Sequence, residues 1–187
     1  ERYRDRLIRA RHLYVGYSGG RDSTVLLHAV RELVPRPVIA LHAHHGLHGD
    51  ADSWHDHCAA FCAAQGVELR SRRLGVVAAG RGLEAAAREA RHAWFAETLG
   101  EDDLLLLAHH EDDQAETLLL RLLRGSGPDG LAAMPQERTC GAGVLLRPCL
   151  DLPRSALTAY AESHGVAWVD DPGNRDERFD RNYLRLR

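Results

Sequence analysis

Two short strings hold most of the residues able to do chemistry. The first is Ser18-Gly19-Gly20-Arg21-Asp22-Ser23, between apolar Tyr14-Val15-Gly16-Tyr17 and apolar Thr24-Val25-Leu26-Leu27. It reads as a strand, a tight glycine turn and a helix. The glycines let the backbone turn sharply and approach a ligand. The first N–H groups of the helix have no intrahelical acceptor and, with the helix dipole, suit an anion. Ser18 and Ser23 add hydroxyl donors. Asp22 is out of place in a phosphate cradle unless a divalent cation lies between carboxylate and phosphate. Ser18, Gly19, Gly20, Arg21, Asp22 and Ser23 therefore read as a nucleotide–Mg²⁺ site. The spacing GxxxxGK(S/T) of a Walker loop and the GxGxxG fingerprint are both absent.

The second string, His109-His110-Glu111-Asp112-Asp113-Gln114-Ala115-Glu116-Thr117, follows the apolar run Leu104–Ala108. Carboxylates are welcome at a helix N-terminus, but Asp112, Asp113 and Glu116 are more than a cap needs. With Asp22 they can hold Mg²⁺ on the phosphates or orient an incoming amine. Glu84, Arg88 and Arg91 share one helix face. A surface ion pair is the plain reading. Histidines crowd around the second strand: His42, His44, His45, His48, His55 and His57. Their spacing fits no standard zinc motif. We read His42 and His44 as lining the nucleotide pocket.

The elements that must position these groups alternate. Strands are expected at His12 to Tyr17, Val38 to His44, Val67 to Leu74 (nearer an edge), Leu104 to Ala108, Val144 to Pro148, and a return at Val166 to Val169. Helices are expected in residues 1–11, at Asp22 to Leu33, from an Asp52-Ser53 cap to Gln65, at Leu83 to Leu99, from the acidic string to Arg124, and at Pro153 to His164. Gly75 to Gly82 reads as a mobile cover and 125–130 as a lid or anion contact. The order implies an α/β fold, a doubly wound and mostly parallel sheet with helices on both faces. In such sheets ligands sit at the carboxyl ends of the strands, which is where the glycine turn, the histidine loop and the acidic string all fall.

The chain has 187 residues, 44% of them hydrophobic, which suits one domain with a core. No apolar run is long enough to span a membrane, and no secretion signal is visible. Four cysteines without a C-x-x-C pair suggest a reduced, cytoplasmic protein. All 24 basic residues are Arg, so cationic stabilisation must come from guanidinium, imidazolium or metal. A net charge of −3 speaks against a large nucleic-acid surface on this portion. The Arg-rich end, 175–187, with Phe179 and Tyr183, can contact phosphates or stack on bases, or act as a connector.

The Ser-Gly-Gly-x-Asp-Ser string resembles the PP-loop of N-type ATP pyrophosphatases, with their adenine nucleotide α-hydrolase-like, Rossmann-like fold. The set as a whole resembles the catalytic domain of bacterial tRNA(Ile)-lysidine synthetases. It comprises Ser18–Ser23, His44-His45-Gly46-Leu47, Glu84-x-x-x-Arg88-x-x-Arg91, and Ala108-His109-x-x-Asp112-Asp113-Gln114-x-Glu116-Thr117. It continues through Arg124-Gly125-x-Gly127-x-x-Gly130-Leu131, Arg147-Pro148, Asp171-Pro172-x-Asn174-x-Asp176 and Arg181-Asn182-x-x-Arg185. The family pattern often has Asn at position 44 and Arg or Ser at 48.

The resemblance implies ATP and Mg²⁺ as cofactors, and free L-lysine and a tRNA(Ile) with a CAU anticodon as substrates. It implies adenylation of the wobble cytidine and displacement of AMP by lysine. On this view 1–187 is the catalytic domain of a longer protein, with about 175–187 leading toward C-terminal tRNA-binding domains. Asp22 and Asp113 would set metal or phosphate geometry. Asp112 and Glu116 would bind the lysine ammonium or take its proton, and Arg88 would hold the lysine carboxylate or the α-phosphate. Competing readings are a tRNA thiolase of the same superfamily, a glutamine-fed amidating ligase, and a nucleotide sensor without turnover.

Overall fold

The computed structural model describes residues 2–46, 49, 51–75, 82–125, 127 and 132–169, with only the backbone at Glu84. The elements are α1 (Arg4–Arg9), β1 (Leu13–Gly16), α2 (Arg21–Leu33), β2 (Ile39–His44), α3 (Ala51–Ala64), β3 (Glu68–Arg73), α4 (Leu83–Thr98), β4 (Leu104–Leu106), α5 (Glu111–Leu123), β5 (Glu137–Cys140), β6 (Gly143–Leu146) and α6 (Arg154–Ser163).

The strands form a six-stranded sheet in the order β3-β2-β1-β4-β6-β5. All neighbours run parallel except β5 and β6. The chain winds outward from β1 through β2 to β3, then returns to place β4 on the other side of β1. The switch point therefore lies between β1 and β4, and the crevice of a doubly wound sheet opens above it. Asp103, 4% exposed, ties the two strand starts together by accepting from the backbone N–H groups of His12 and Gly100.

Alternation along the strands feeds two cores. Leu13, Val15 and Tyr17 pack with Val25, Leu26 and Val30 of α2, Cys58 and Cys62 of α3, and Leu157 of α6. Tyr14, Leu105 and Leu145 pack on the opposite face against Trp94 and Phe95 of α4 and Leu99 just after it. β4 is buried throughout, as its continuous apolar run requires. β3 is the exposed edge, and its Glu and Arg side chains discourage pairing with another chain. Helix α5 inverts the usual pattern. Its buried residues are Asp113, Glu116 and Thr117, whereas Leu119, Leu122 and Leu123 are exposed. Its inward face is the polar one because that face borders the crevice.

Three expectations are corrected. Val166 to Val169 is not a strand; the segment has no ladder, and its Val169 N–H donates to the Gly19 carbonyl at 3.0 Å. Asp52 does not cap α3, which begins at Ala51; its carboxylate meets His44 and Arg73 instead. An unforeseen strand, β5, pairs antiparallel with β6 through a tight turn at 141–142. Most of β5 is exposed and polar, so it carries no apolar alternation to read. The expected loops at Gly75 to Gly82 and at 125–130 lie largely outside the described residues, as do His48 and everything from 170 onward.

The turn into β6 rests on Gly141, at φ +60°, where a Cβ would come within 2.0 Å of the Ala96 carbonyl oxygen. Gly141→Ala is expected to destabilise the fold by at least ~2 kcal/mol, combining a left-handed backbone with a backbone clash. Denaturant unfolding checks this; a midpoint equal to wild type would show that the hairpin does not press on α4.

Candidate active site

The turn after β1 is braced from within. Gly19 has φ +84°, and a Cβ there would come within 2.7 Å of the Cys58 sulfur. Ser23, 8% exposed, donates its hydroxyl to the Gly20 carbonyl at 2.9 Å and accepts from the Ser18 N–H at 3.2 Å. The Ser18 hydroxyl accepts from the Gly20 N–H at 3.3 Å and lies 3.1 Å from the Ser23 hydroxyl. Thr24 adds a bond to the Gly20 carbonyl. The two serines thus shape the turn as well as supplying donors. Gly20 caps α2 without any side-chain hydrogen bond. The first N–H groups of α2 therefore have no capping side chain and suit an anion.

Across the switch point, His110 caps α5 and is 1% exposed. Its Nε2 lies 3.4 Å from Asp22 and 3.6 Å from Asp113, and its Nδ1 lies 3.4 Å from Asp112. The His110 N–H also donates to Asp113 at 3.1 Å. One buried imidazole therefore joins the glycine turn of β1 to the acidic string of β4. Burial works to raise the pKa of Asp22, but His110 and the Arg21 guanidinium outweigh it and hold the carboxyl below its ordinary range. Arg21 contacts Asp22 at 2.9 Å. Asp112 is lowered chiefly by the Arg154 N–H, which it accepts at 2.9 Å. Arg154 also reaches toward buried Glu116, 3.7 Å away.

A cationic group occupies the β6 side. Arg147 is 2% exposed and lies at the carboxyl end of β6, next to β4. Its Nε donates to His109 Nδ1 at 3.1 Å and its Nη1 to the Pro135 carbonyl at 2.6 Å. Burial, then Arg138 and Arg88, lower its pKa to about 10. Arg138 donates to His92 at 3.0 Å. Arg88 on α4 lies close enough to Arg147 and His92 to act on both electrostatically.

On the β2 side, His42 is buried with Nδ1 3.0 Å from the Tyr17 carbonyl, and burial lowers its pKa. His44 Nε2 lies 2.9 Å from Asp52. Their rings meet His55 edge to face, at 5.7 and 6.2 Å. Burial, then Arg91, takes His45 down to about 4.

Among the described residues no three His, Cys, Asp or Glu side chains are arranged to hold a metal by themselves. Mg²⁺ usually takes one or two carboxylates and completes its shell with phosphate and water. Asp22 and Asp113, hard oxygen donors that converge on one imidazole nitrogen beside the anion-ready turn, fit that requirement. The structure thus brings Ser18–Ser23 and Asp22 together with Asp112, Asp113 and Glu116, and sets Arg88, His42 and His44 on either side. Sequence reasoning missed the linking role of His110 and the parts played by Arg147 and Arg154. Arg147 stood in the sequence as part of the Arg147-Pro148 pair at the end of an apolar run, quoted within the family resemblance with no task attached.

Residues 2–187 match the family described as the PP-loop domain. Among curated relatives, a tRNA(Ile)-lysidine synthase of Xanthomonas campestris pv. campestris is 56% identical over 178 residues, 91% of this chain and 40% of that protein. One of Pseudomonas syringae pv. tomato is 54% identical over 176 residues, 92% of this chain and 39% of that protein. The chain spans about two fifths of the length of these relatives. Among solved structures, the U34-tRNA thiolase NcsA of Methanococcus maripaludis superposes with a TM-score of 0.69 at 19% identity, over 90% of this chain and 64% of that one. An NH3-dependent NAD synthetase from Campylobacter jejuni gives a TM-score of 0.55 at 15% identity, over 98% of this chain and 82% of that one. At such identities the likeness to the solved structures is one of fold.

The basic flank predicts a pH effect. Burial and neighbouring Arg91, Arg88 and Arg138 take His92 from its ordinary 6.5 to about 3. Between those values the unfolded chain binds a proton that the folded chain refuses. The associated stability is intact above pH 6.5 and is lost as pH falls toward 3. His92→Asn should reduce the loss of stability between pH 7 and 4.5 by on the order of 1 kcal/mol. Urea unfolding at both pH values checks this; an unchanged difference would show that His92 accepts its proton in the fold.

Proposed function

Because the chain belongs to the PP-loop domain family, we propose that it is the catalytic domain of a tRNA(Ile)-lysidine synthase. On this reading ATP activates the C2 oxygen of the wobble cytidine in a CAU anticodon. Pyrophosphate leaves, and the ε-amine of free lysine then displaces AMP. The observation that carries the reading is the junction at His110, where the glycine turn of β1 meets the carboxylates of β4 and α5. The name shared by relatives at more than half identity supplies the acceptor and the tRNA.

Each residue then has a task. The uncapped N–H groups at the α2 N-terminus, framed by the turn at 18–20, receive the β- and γ-phosphates. Asp22 and Asp113 would hold Mg²⁺, which when bound neutralises charge on the departing pyrophosphate. His42 and His44 border the adenine side. Asp112 and Glu116 receive the lysine ammonium and take its proton, since only a neutral amine attacks. The Arg154 N–H holds Asp112 below the ordinary carboxylate range, and the Arg154 guanidinium lies 3.7 Å from Glu116. Arg88 steadies the α-phosphate. The Arg-rich end from Arg175 to Arg187 would meet the tRNA as a connector toward further tRNA-binding domains. Such a reaction belongs in the cytoplasm; no described helix is long and apolar enough to cross a membrane.

A sulfur-transfer reading is disfavoured by the cysteines. Burial raises Cys58 to about 12 and Cys62 to about 11, so neither thiol is poised as a thiolate.

The test uses the full-length protein with ATP, Mg²⁺, lysine and an unmodified CAU-anticodon tRNA(Ile) transcript. Mass spectrometry of the digested tRNA should find lysine on one cytidine, with AMP released in step. AMP without the adduct would keep the ATP chemistry and overturn the acceptor. Arg88→Ala and Asp113→Asn should each cut lysine transfer by about a hundredfold or more. Full transfer by Arg88→Ala, or an unchanged Mg²⁺ dependence in Asp113→Asn, would remove that residue from its role.

A further inference from the structure

We propose that Arg147 receives the α-carboxylate of the incoming amino acid. The proposal rests on the lysine-transfer reading above and names the acceptor subsite within it. Arg147 is buried, yet its hydrogen-bond partners, His109 Nδ1 and the Pro135 carbonyl, carry no negative charge. Among the described residues no carboxylate lies within ion-pair distance of it, nor of its neighbour Arg138. A desolvated guanidinium beside other guanidiniums is costly unless an anion joins it. Nη2 makes no hydrogen bond among the described residues, which leaves one arm of the fork for a ligand. The bond to His109 fixes the guanidinium plane and makes Nδ1 of that imidazole an acceptor.

Position decides which anion. The phosphate-ready turn follows β1, and His42 and His44 lie at the carboxyl end of β2, on the far side of β1 from β4. Arg147 follows β6, two strands from β1, or roughly 10 Å at ordinary strand spacing. Between them lie the carboxylates after β4. An amino acid laid across the ends of β4 and β6 would set its ammonium groups against carboxylates and its carboxylate against Arg147. The alternating charge of the crevice matches that of a zwitterion with a basic side chain.

The experiment compares lysine with cadaverine, the same diamine without the carboxylate, in full-length wild type, Arg147→Gln and Arg147→Lys. AMP release and tRNA adducts are followed, with thermal melting as a check of folding. Wild type should favour lysine. Arg147→Gln should raise the KM for lysine about tenfold or more, leave the KM for ATP and the use of cadaverine near wild type, and abolish the preference. Arg147→Lys keeps the charge but not the fork and should show a smaller rise of the same kind. If Arg147→Gln does not fold, Arg147→Lys carries the comparison. A raised KM for ATP with an unchanged KM for lysine would assign the guanidinium to phosphate and overturn the proposal. A preserved lysine preference in a folded variant would make Arg147 structural and overturn it too, leaving the lysine-transfer reading intact. A wild type that transfers no lysine would overturn both.

Discussion

Four carboxylates, Asp22, Asp112, Asp113 and Glu116, are gathered at the ends of two adjacent strands, and their mutual repulsion is the constraint the rest of the structure answers. Without compensation such a group would protonate or push its helices apart. The compensation comes from several directions. The acids lie in the first turns of α2 and α5 or just beyond, where the helix dipole favours negative charge. Arg21 pairs with Asp22, and Arg154 serves Asp112 through its N–H and Glu116 through its side chain. His110, sealed at the centre, touches three of the four. The result is a set of acids positioned in the crevice before any ligand arrives, and such preorganisation is the basis of electrostatic stabilisation.

That arrangement depends on the sheet order. Only because the chain returns from β3 to lay β4 beside β1 do the glycine turn and the acidic string face each other. The parallel direction of β1, β2, β4 and β6 brings their loops to one edge. Along that edge the character changes from imidazole after β2, to backbone donors after β1, to carboxylate after β4, to guanidinium after β6. The hydrophobic cores on the two faces hold this row rigid, and α5 gives up apolar burial to present its acids. The exposed Leu119, Leu122 and Leu123 are the other side of that choice.

The strings at 18–23 and 109–117 were legible because their chemistry is contiguous. Both glycines, both serines and Asp22 fall within six residues, between a short apolar run and an apolar helix. The parallel strands were legible because burial on both faces demands apolar runs. The edge strand β5 was not, because exposed polar residues leave no periodic signal; only the glycines at 141 and 143 hinted at a hairpin. Val166 to Val169 looked like a strand because its apolar residues pack on the core, yet its backbone bonds to the glycine turn instead of to a ladder. Asp52 looked like a helix cap, and the proximity of His44 and Arg73 claimed it.

What the amino-acid sequence determined by itself was the fold class, the anion-ready turn and the acidic composition of the second loop, since these follow from local periodicity and from neighbouring residue types. What only the tertiary structure decided was which distant groups share the crevice. The approach of His110 to Asp22, of Arg147 to His109 and of Arg154 to Glu116 spans up to 88 positions in the chain (110 − 22). No local pattern encodes such meetings. They are set by strand order and helix packing, which bring together residues whose charges then have to be balanced in place.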